Sequence, residues 1–268
     1  MDTPNHLDNS SILHSHNVNN QEITLYLKTI LNVDSFKDYC PNGLQIEGSQ
    51  NITTLVSGVT LNQELIEQAL VHKAQGILVH HGIFWKGDNP CISGIKKQRL
   101  QALLKNDLNL WAYHLPLDAH SKYGNNACIA GLLDLPIHDY FGDQNLGCIA
   151  NINQESVYKS QYELHAFLEQ TFKRKVMVFG NLNREIKKIA WCSGSAQSYF
   201  NAAIEKGCDV FISGEISEQY VHTAKENNVL YMAAGHHATE RYGVQALGTH
   251  LAQKYNINHI FVDIDSGF

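Results

Sequence analysis

The chain has 268 residues, 44% hydrophobic and 17% charged, a composition that excludes a mainly disordered polypeptide. Its 20 Lys and Arg against 26 Asp and Glu give a formal net charge of −6, which disfavours a duplex-coating role that needs clustered positive charge. Six cysteines without a CxxC pair make no disulfide framework, so the unusual count is the 15 histidines.

Residues 1–20 are rich in Asn, Ser, Asp and His and lack an apolar period. They read as a tail, with His14 and His16 solvated. The polar start has no signal-peptide pattern, and no apolar run nears the ~20 residues that span a bilayer. The expectation is a cytoplasmic protein with buried or free thiols. Ile23, Leu27, Ile30 and Leu31 then predict a helix over 21–32. Pro41-Asn42-Gly43 marks 38–45 as a loop. Strands are predicted at 53–59, 76–80 and 108–114, with helices at 62–73 and 96–106.

Few structural signals fall in 134–146, which places a domain boundary near 135/136 and domains at 21–135 and 136–268. Beyond it, strands are predicted at 147–153, 188–192, 209–213, 229–233 and 259–263. Helices are predicted at 160–172, 196–206, 217–227 and 237–254. The alternation predicts an α/β protein with largely parallel sheets flanked by helices.

Three segments end strands with metal-ligating residue types. They are His80-His81-Gly82, His114-Leu115-Pro116-Leu117-Asp118 and Gly235-His236-His237-Ala238-Thr239-Glu240. Ligands of open parallel sheets bind beyond strand C-terminal ends, so these side chains are expected in one cleft. His236 and Glu240 are four apart at a helix start and share a face. Imidazole and carboxylate suit Zn, Fe, Mn, Ni or Co. The donors outnumber what one tetrahedral ion needs, so two divalent ions bridged by a carboxylate are expected. Ions ~3.5–4 Å apart activate water and clamp the oxygens of a hydrolysis. A single strand-end histidine is ordinarily a hydrogen-bonded packing residue; three such segments with carboxylates argue otherwise. No H-E-x-x-H, P-loop or G-x-S-x-G motif is present.

Weaker signals remain. Trp191-Cys192-Ser193-Gly194-Ser195-Ala196 runs from strand to helix, and its backbone N–H groups are candidates for holding phosphate. Gly124-Asn125-Asn126 reads as an N-cap. Glu215 and Glu218 follow a strand and are candidates either for the cleft or for helix capping. Cys192 and Cys208 read as packing residues.

Together with Pro41-Asn42-Gly43-Leu44-Gln45, the 80–87 run, Gly124-Asn125-Asn126-Ala127 and Gly214-Glu215, these motifs resemble the GTP cyclohydrolase I type 2 homologues, the Nif-three-like dinuclear metal-centre proteins. The resemblance spans about residues 22–265. It implies two similar α/β domains, a homohexameric ring built as a trimer of dimers, and a two-metal site facing the ring interior. Carried over by residue, the metal ligands fall on His80, His81, Asp118, His236 and Glu240. His81 and Asp118 are expected on one ion, His80 and His236 on the other, with Glu240 bridging. His114 matches a histidine beside the site, with orientation of a ligand or bound water as its role, and His237 stands where relatives often have tyrosine. His114 and Glu215 are the catalytic candidates.

The implied activity is metal-dependent hydrolysis of a nucleotide or phosphorylated heterocycle, GTP cyclohydrolase-like or phosphoesterase. Fold and family do not fix a reaction, so two alternatives stand beside it. One is a non-catalytic metal-binding or metal-trafficking protein. The other is a ring-shaped scaffold around a nucleic-acid strand or protein segment, with the net charge of −6 arguing against nucleic acid.

Overall fold

The computed structural model describes residues 17–152, 155–181 and 185–267. In chain order the first half contains β1 (Val18–Asn19), α1 (Asn20–Ile30), β2 (Gly43–Ile46), β3 (Asn51–Ile52), β4 (Thr54–Thr60), α2 (Gln63–Val71), β5 (Gly76–His81), α3 (Gly94–Lys105), β6 (Asn109–Ala112), α4 (Leu115–Ala119) and α5 (Asn125–Leu133). The second contains β7 (Asp139–Phe141), β8 (Gly147–Asn151), α6 (Gln161–Phe172), β9 (Met177–Phe179), β10 (Lys188–Cys192), α7 (Phe200–Glu205), β11 (Val210–Ser213), α8 (Glu218–Asn227), β12 (Leu230–Ala233), α9 (His236–Tyr255) and β13 (Asn258–Phe261). His14 and His16, with most of the expected tail, lie outside the described residues. Residues 18–20 lie within the fold: β1 pairs with β3, and Asn20 is buried.

The larger strands form a mixed α/β fold with two sheets. The first runs β13-β4-β5-β6-β2, parallel except for the edge strand β2. The second runs β7-β8-β10-β11-β12-β9 and is parallel only across β10, β11 and β12. Largely parallel pairing therefore describes the first sheet and not the second. The link 142–146 is too short for a crossover, so β7 and β8 must pair antiparallel. The segment 43–46, read as loop from its Pro-Asn-Gly start, is the edge strand β2. The helix expected from 196 opens with a tight turn at Gln197–Tyr199 and becomes α-helical at Phe200.

Each sheet is covered on both faces. Leu65, Ile66 and Leu103 of α2 and α3 pack on one side of the first sheet. Leu27 of α1, with Val244, Leu247 and Leu251 of α9, packs on the other. The second sheet is enclosed by Leu133, Leu164 and Leu168 on one face and by Phe200, Ala203 and Ala224 on the other. The start of α9 contributes Ala238 to the second sheet's core while its middle serves the first. Full burial of each such leucine or valine stabilises by about 1.5–3 kcal/mol, so α9 is anchored at its middle while its N-terminal turn is aimed at the strand ends.

Candidate metal centre

Strand alternation splits the first histidine pair. His80 lies within the buried run of β5, and His81 closes the strand half-covered. His114 precedes α4, whose Pro116 sits in the first turn, where its missing N–H costs nothing. That turn brings Asp118 back under the strand ends. Gly235 enters α9, and the 3.6-residue period sets His236 and Glu240 on one face.

The structure brings all five expected ligands together. His80 Nε2 lies 3.5 Å from Asp118 Oδ2 and 3.5 Å from Glu240 Oε1. His81 Nε2 is 3.2 Å and His236 Nε2 2.9 Å from Glu240 Oε2. Two three-residue groups result, His80–Asp118–Glu240 and His81–His236–Glu240, with Glu240 common to both. The expectation paired His81 with Asp118 and His80 with His236; here the two carboxylates straddle His80, while His81 and His236 share the other oxygen of Glu240.

Neighbouring groups fix the imidazoles. The Tyr113 carbonyl can only accept, so His80 donates to it from Nδ1 at 2.9 Å and turns the Nε2 lone pair inward. Glu215 does the same at His236 Nδ1. His81 Nδ1 meets Thr60 Oγ1 at 2.8 Å. Asp118 Oδ1 accepts from Asn125 Nδ2 and Ser193 Oγ, both at 2.9 Å. Yet apart from their ion-pair contacts with one another, His80 Nε2, His236 Nε2 and Glu240 Oε2 are buried without a hydrogen-bond partner among the described residues. Such atoms cost about 1–3 kcal/mol each when left unpaired, and a cation among them satisfies all three. The residues present therefore fit a metal.

Without an ion the carboxylates favour protonated imidazoles, and a bound cation would displace those protons. Burial opposes charge on His80, but Asp118 and Glu240 outweigh it and hold the imidazole at about 9. Burial likewise opposes charge on His236, which Glu240 and then Glu215 hold at about 9. Burial, with His80 and His236 nearby, pushes His81 down to about 3 despite the Glu240 charge. Burial favours a neutral Glu240, yet His80 and His81 keep its carboxyl well below the usual range.

His114 stands beside this centre, its ring 4.9 Å from that of His80. Its Nδ1 meets Asp38 Oδ1 at 2.7 Å, and Asp38 Oδ2 accepts from Leu115 N and Asn42 Nδ2. Burial opposes charge on Asp38, but the bond to His114 brings its carboxyl down to about 2. Cys40 also neighbours this pair, but burial pushes its thiol up to about 12 and away from a ligating thiolate. His114, Asp118, His236 and Glu240 face a cavity of about 350 Å3. His237 points elsewhere, bonded to Asp263 at 2.7 Å.

One weaker reading loses support and another is placed. The 193–196 turn offers little to phosphate, because Ser193 N, Gly194 N and Ala196 N donate to Asn126 Oδ1, Thr239 Oγ1 and Ser213 Oγ. The N-cap read in Gly124-Asn125-Asn126 falls on Gly124, which caps α5 without a side-chain bond, while Asn125 ties Asp118 to Gly243 N and Asn126 ties α5 to Ser193. The reading from sequence missed Asp38 and Thr60, and gave Ser193 a phosphate role in place of its bond to Asp118. Only Asp38, at the head of a loop carrying Pro41-Asn42-Gly43, had a visible signal.

Residues 18–267 match the family profile of Duf34/NIF3 (NGG1p interacting factor 3). A Yersinia pestis protein described as GTP cyclohydrolase 1 type 2 homolog is 44% identical over 249 residues, covering 91% of this chain and 98% of its own. A Neisseria meningitidis serogroup B protein of the same description is 46% identical over 222 residues, covering 83% and 88%. Among solved structures, the protein ybgI, described as of unknown function, aligns with TM-score 0.89 at 39% identity, covering 93% of this chain and 99% of its own.

Proposed function

The chain belongs to the Duf34/NIF3 family, and on that footing we propose that it holds two divalent metal ions and uses them to hydrolyse a nucleotide or other phosphorylated heterocycle. The observation that carries this reading is Glu240, a buried carboxylate with one oxygen beside His80 and the other beside His81 and His236. In this reading His80, Asp118, His81, His236 and Glu240 would hold the two ions, with Glu240 common to both donor groups. The donor set suits Zn, Fe, Mn, Ni or Co. The nucleotide assignment draws on the description of the relatives as GTP cyclohydrolase 1 type 2 homologs and on the cavity beside the cluster.

Bound divalent ions supply Lewis-acid polarisation and a water of lowered pKa. The chain supplies the rest. The Tyr113 carbonyl and Glu215 hold His80 and His236 with their Nε2 lone pairs inward, which makes Glu215 a positioning residue. Asp38 steadies His114 at the cavity wall, where its imidazole can pass a proton to or from bound substrate. The wall that holds this site is read as the meeting of two α/β domains dividing near 135/136, with 235–240 returning to the centre. A homohexamer, a trimer of dimers, is part of the same reading; Val71, Ile92, Ile95 and Leu104 are exposed apolar side chains available to it. Among the described residues no helix is long and apolar enough to cross a membrane.

Elemental analysis of protein purified without an affinity tag or added metal tests the centre. The expected result is close to two ions per subunit, lost in Glu240→Ala. Little metal in both, persisting after reconstitution, refutes the site. Two ions with no turnover above Glu240→Ala on a broad nucleotide panel removes the enzymatic reading and leaves a metal-binding or metal-trafficking protein.

A further inference from the structure

The cavity beside the cluster is lined by the buried Asp118 and Glu240 and by the exposed Tyr39 and Asp143, with Tyr199 beside them. At about 350 Å3 it falls at the small end of the ~300–1,000 Å3 range of ligand pockets, room for one small molecule. Among the described residues that line it, none is lysine or arginine. Backbone donors are scarce too, since the N–H groups of Ser193, Gly194 and Ala196 are already given to side chains. Away from the metal centre, a phosphate in this cavity meets no cation.

The two ends of the cavity differ in charge. At the floor, two dications against the carboxylates of Asp118 and Glu240 leave a net charge of about +2, the histidines being neutral ligands. A phosphate monoester carries about −1.5 to −2 at pH 7, which matches it. At the mouth stands the carboxylate of Asp143, an acceptor only, with the phenol rings of Tyr39 and Tyr199 on the same wall. That setting suits the flat face and N–H edge of a heterocycle and repels phosphate.

We infer that the substrate enters phosphate first, and that the bond broken is phosphorus–oxygen rather than a ring bond. The inference rests on the dinuclear reading above and narrows it to a phosphate monoester of a heterocyclic alcohol, such as a 5′-mononucleotide. The oxygen of water bonds to phosphorus and the ester P–O bond breaks. The ester oxygen takes a proton from that water, giving an alcohol and inorganic phosphate. Ring opening of a triphosphate at the metals requires the opposite orientation, with its phosphates at the mouth against Asp143.

The test incubates metal-loaded protein with guanosine 5′-monophosphate and, separately, GTP in 18O-labelled water, with ion content measured on the same sample. The expected result is inorganic phosphate carrying one labelled oxygen, with ring absorbance unchanged. Asp143→Asn is expected to raise KM for the monophosphate about tenfold, as the acceptor loses its charge and gains donors in its place. Two ions per subunit with ring absorbance lost from GTP, or with no phosphate released from any 5′-mononucleotide, overturns this inference and leaves the dinuclear reading standing. An unmoved KM in Asp143→Asn overturns the orientation. A protein that takes up no metal overturns both.

Discussion

Replacing Gly194 with alanine separates damage to the centre from damage to the fold. Gly194 has φ of +64°, and a Cβ there lies 2.0 Å from Glu240 Oε1. Ordinary carbon contacts need about 3.5 Å, so the carboxylate must retreat by roughly 1.5 Å. Metal–ligand distances tolerate about ±0.2 Å, so that retreat removes one oxygen from coordination. The fold suffers less. Glu240 Oε1 is the tip of a side chain, and the main structural cost is the left-handed backbone, roughly 1–2 kcal/mol for a residue with a Cβ. At about 2–4 °C per kcal/mol for a chain of this size, the metal-free protein is expected to lose about 2–8 °C in Tm. Metal content is expected to fall from two ions to one or fewer per subunit. The assay pairs calorimetry of chelated protein with elemental analysis after reconstitution. A Gly194→Ala protein that retains two ions at parental affinity refutes the assignment of Glu240 as the shared ligand.

Gly248→Ala provides the contrast. Its Cβ meets His259 Nε2 at 2.1 Å, far from the cluster, so it is expected to cost about 1–3 kcal/mol by overpacking while metal content stays parental. A loss of metal there shows that the site merely follows global stability. The pH dependence is also fixed in sign. In metal-free protein His80 and His236 are held at about 9 against the ordinary 6.5, so their contribution to stability is full below pH 6.5 and lost as pH rises through 9. Chelated protein is therefore expected to lose Tm across that window while metal affinity rises, because protons no longer compete; a flat Tm contradicts the protonated cluster. Asn125→Leu removes one of the two bonds to Asp118 Oδ1 and strands the Gly243 N–H, with an expected loss of about 1–3 kcal/mol and weakened metal binding, measured by denaturant unfolding and metal titration. Unchanged values in both measurements contradict the tie.

Much of this was legible from residue order because strand and helix periods differ and the polar residues at strand ends break them. His80, Asp118 and Glu240 each follow an apolar run that predicts a buried strand or a turn out of one. What periodicity does not encode is which strand pairs with which. Nothing in 258–261 shows that β13 lies beside β4, some two hundred residues earlier, and β2 was hidden by the turn residues before it. The pairing of ligands was illegible for a related reason, since it depends on rotamers set by the Tyr113 carbonyl, Thr60 and Glu215. The 193–196 turn misled because a free backbone donor and one claimed by a distant Asn126 or Thr239 look the same in sequence.

The helix that brings Glu240 to the cluster also carries the chain on to β13, the outer strand of the first sheet. His80, His81 and Asp118 are synthesised more than a hundred residues ahead of the carboxylate that joins the two halves. If the dinuclear proposal holds, these early residues are open half-sites while the chain is growing. Closure waits until α9 has emerged from the ribosome and docked across both cores. A polypeptide that stops short of residue 240 lacks the shared ligand altogether, so firm retention of metal marks a chain that has been both translated past that point and folded.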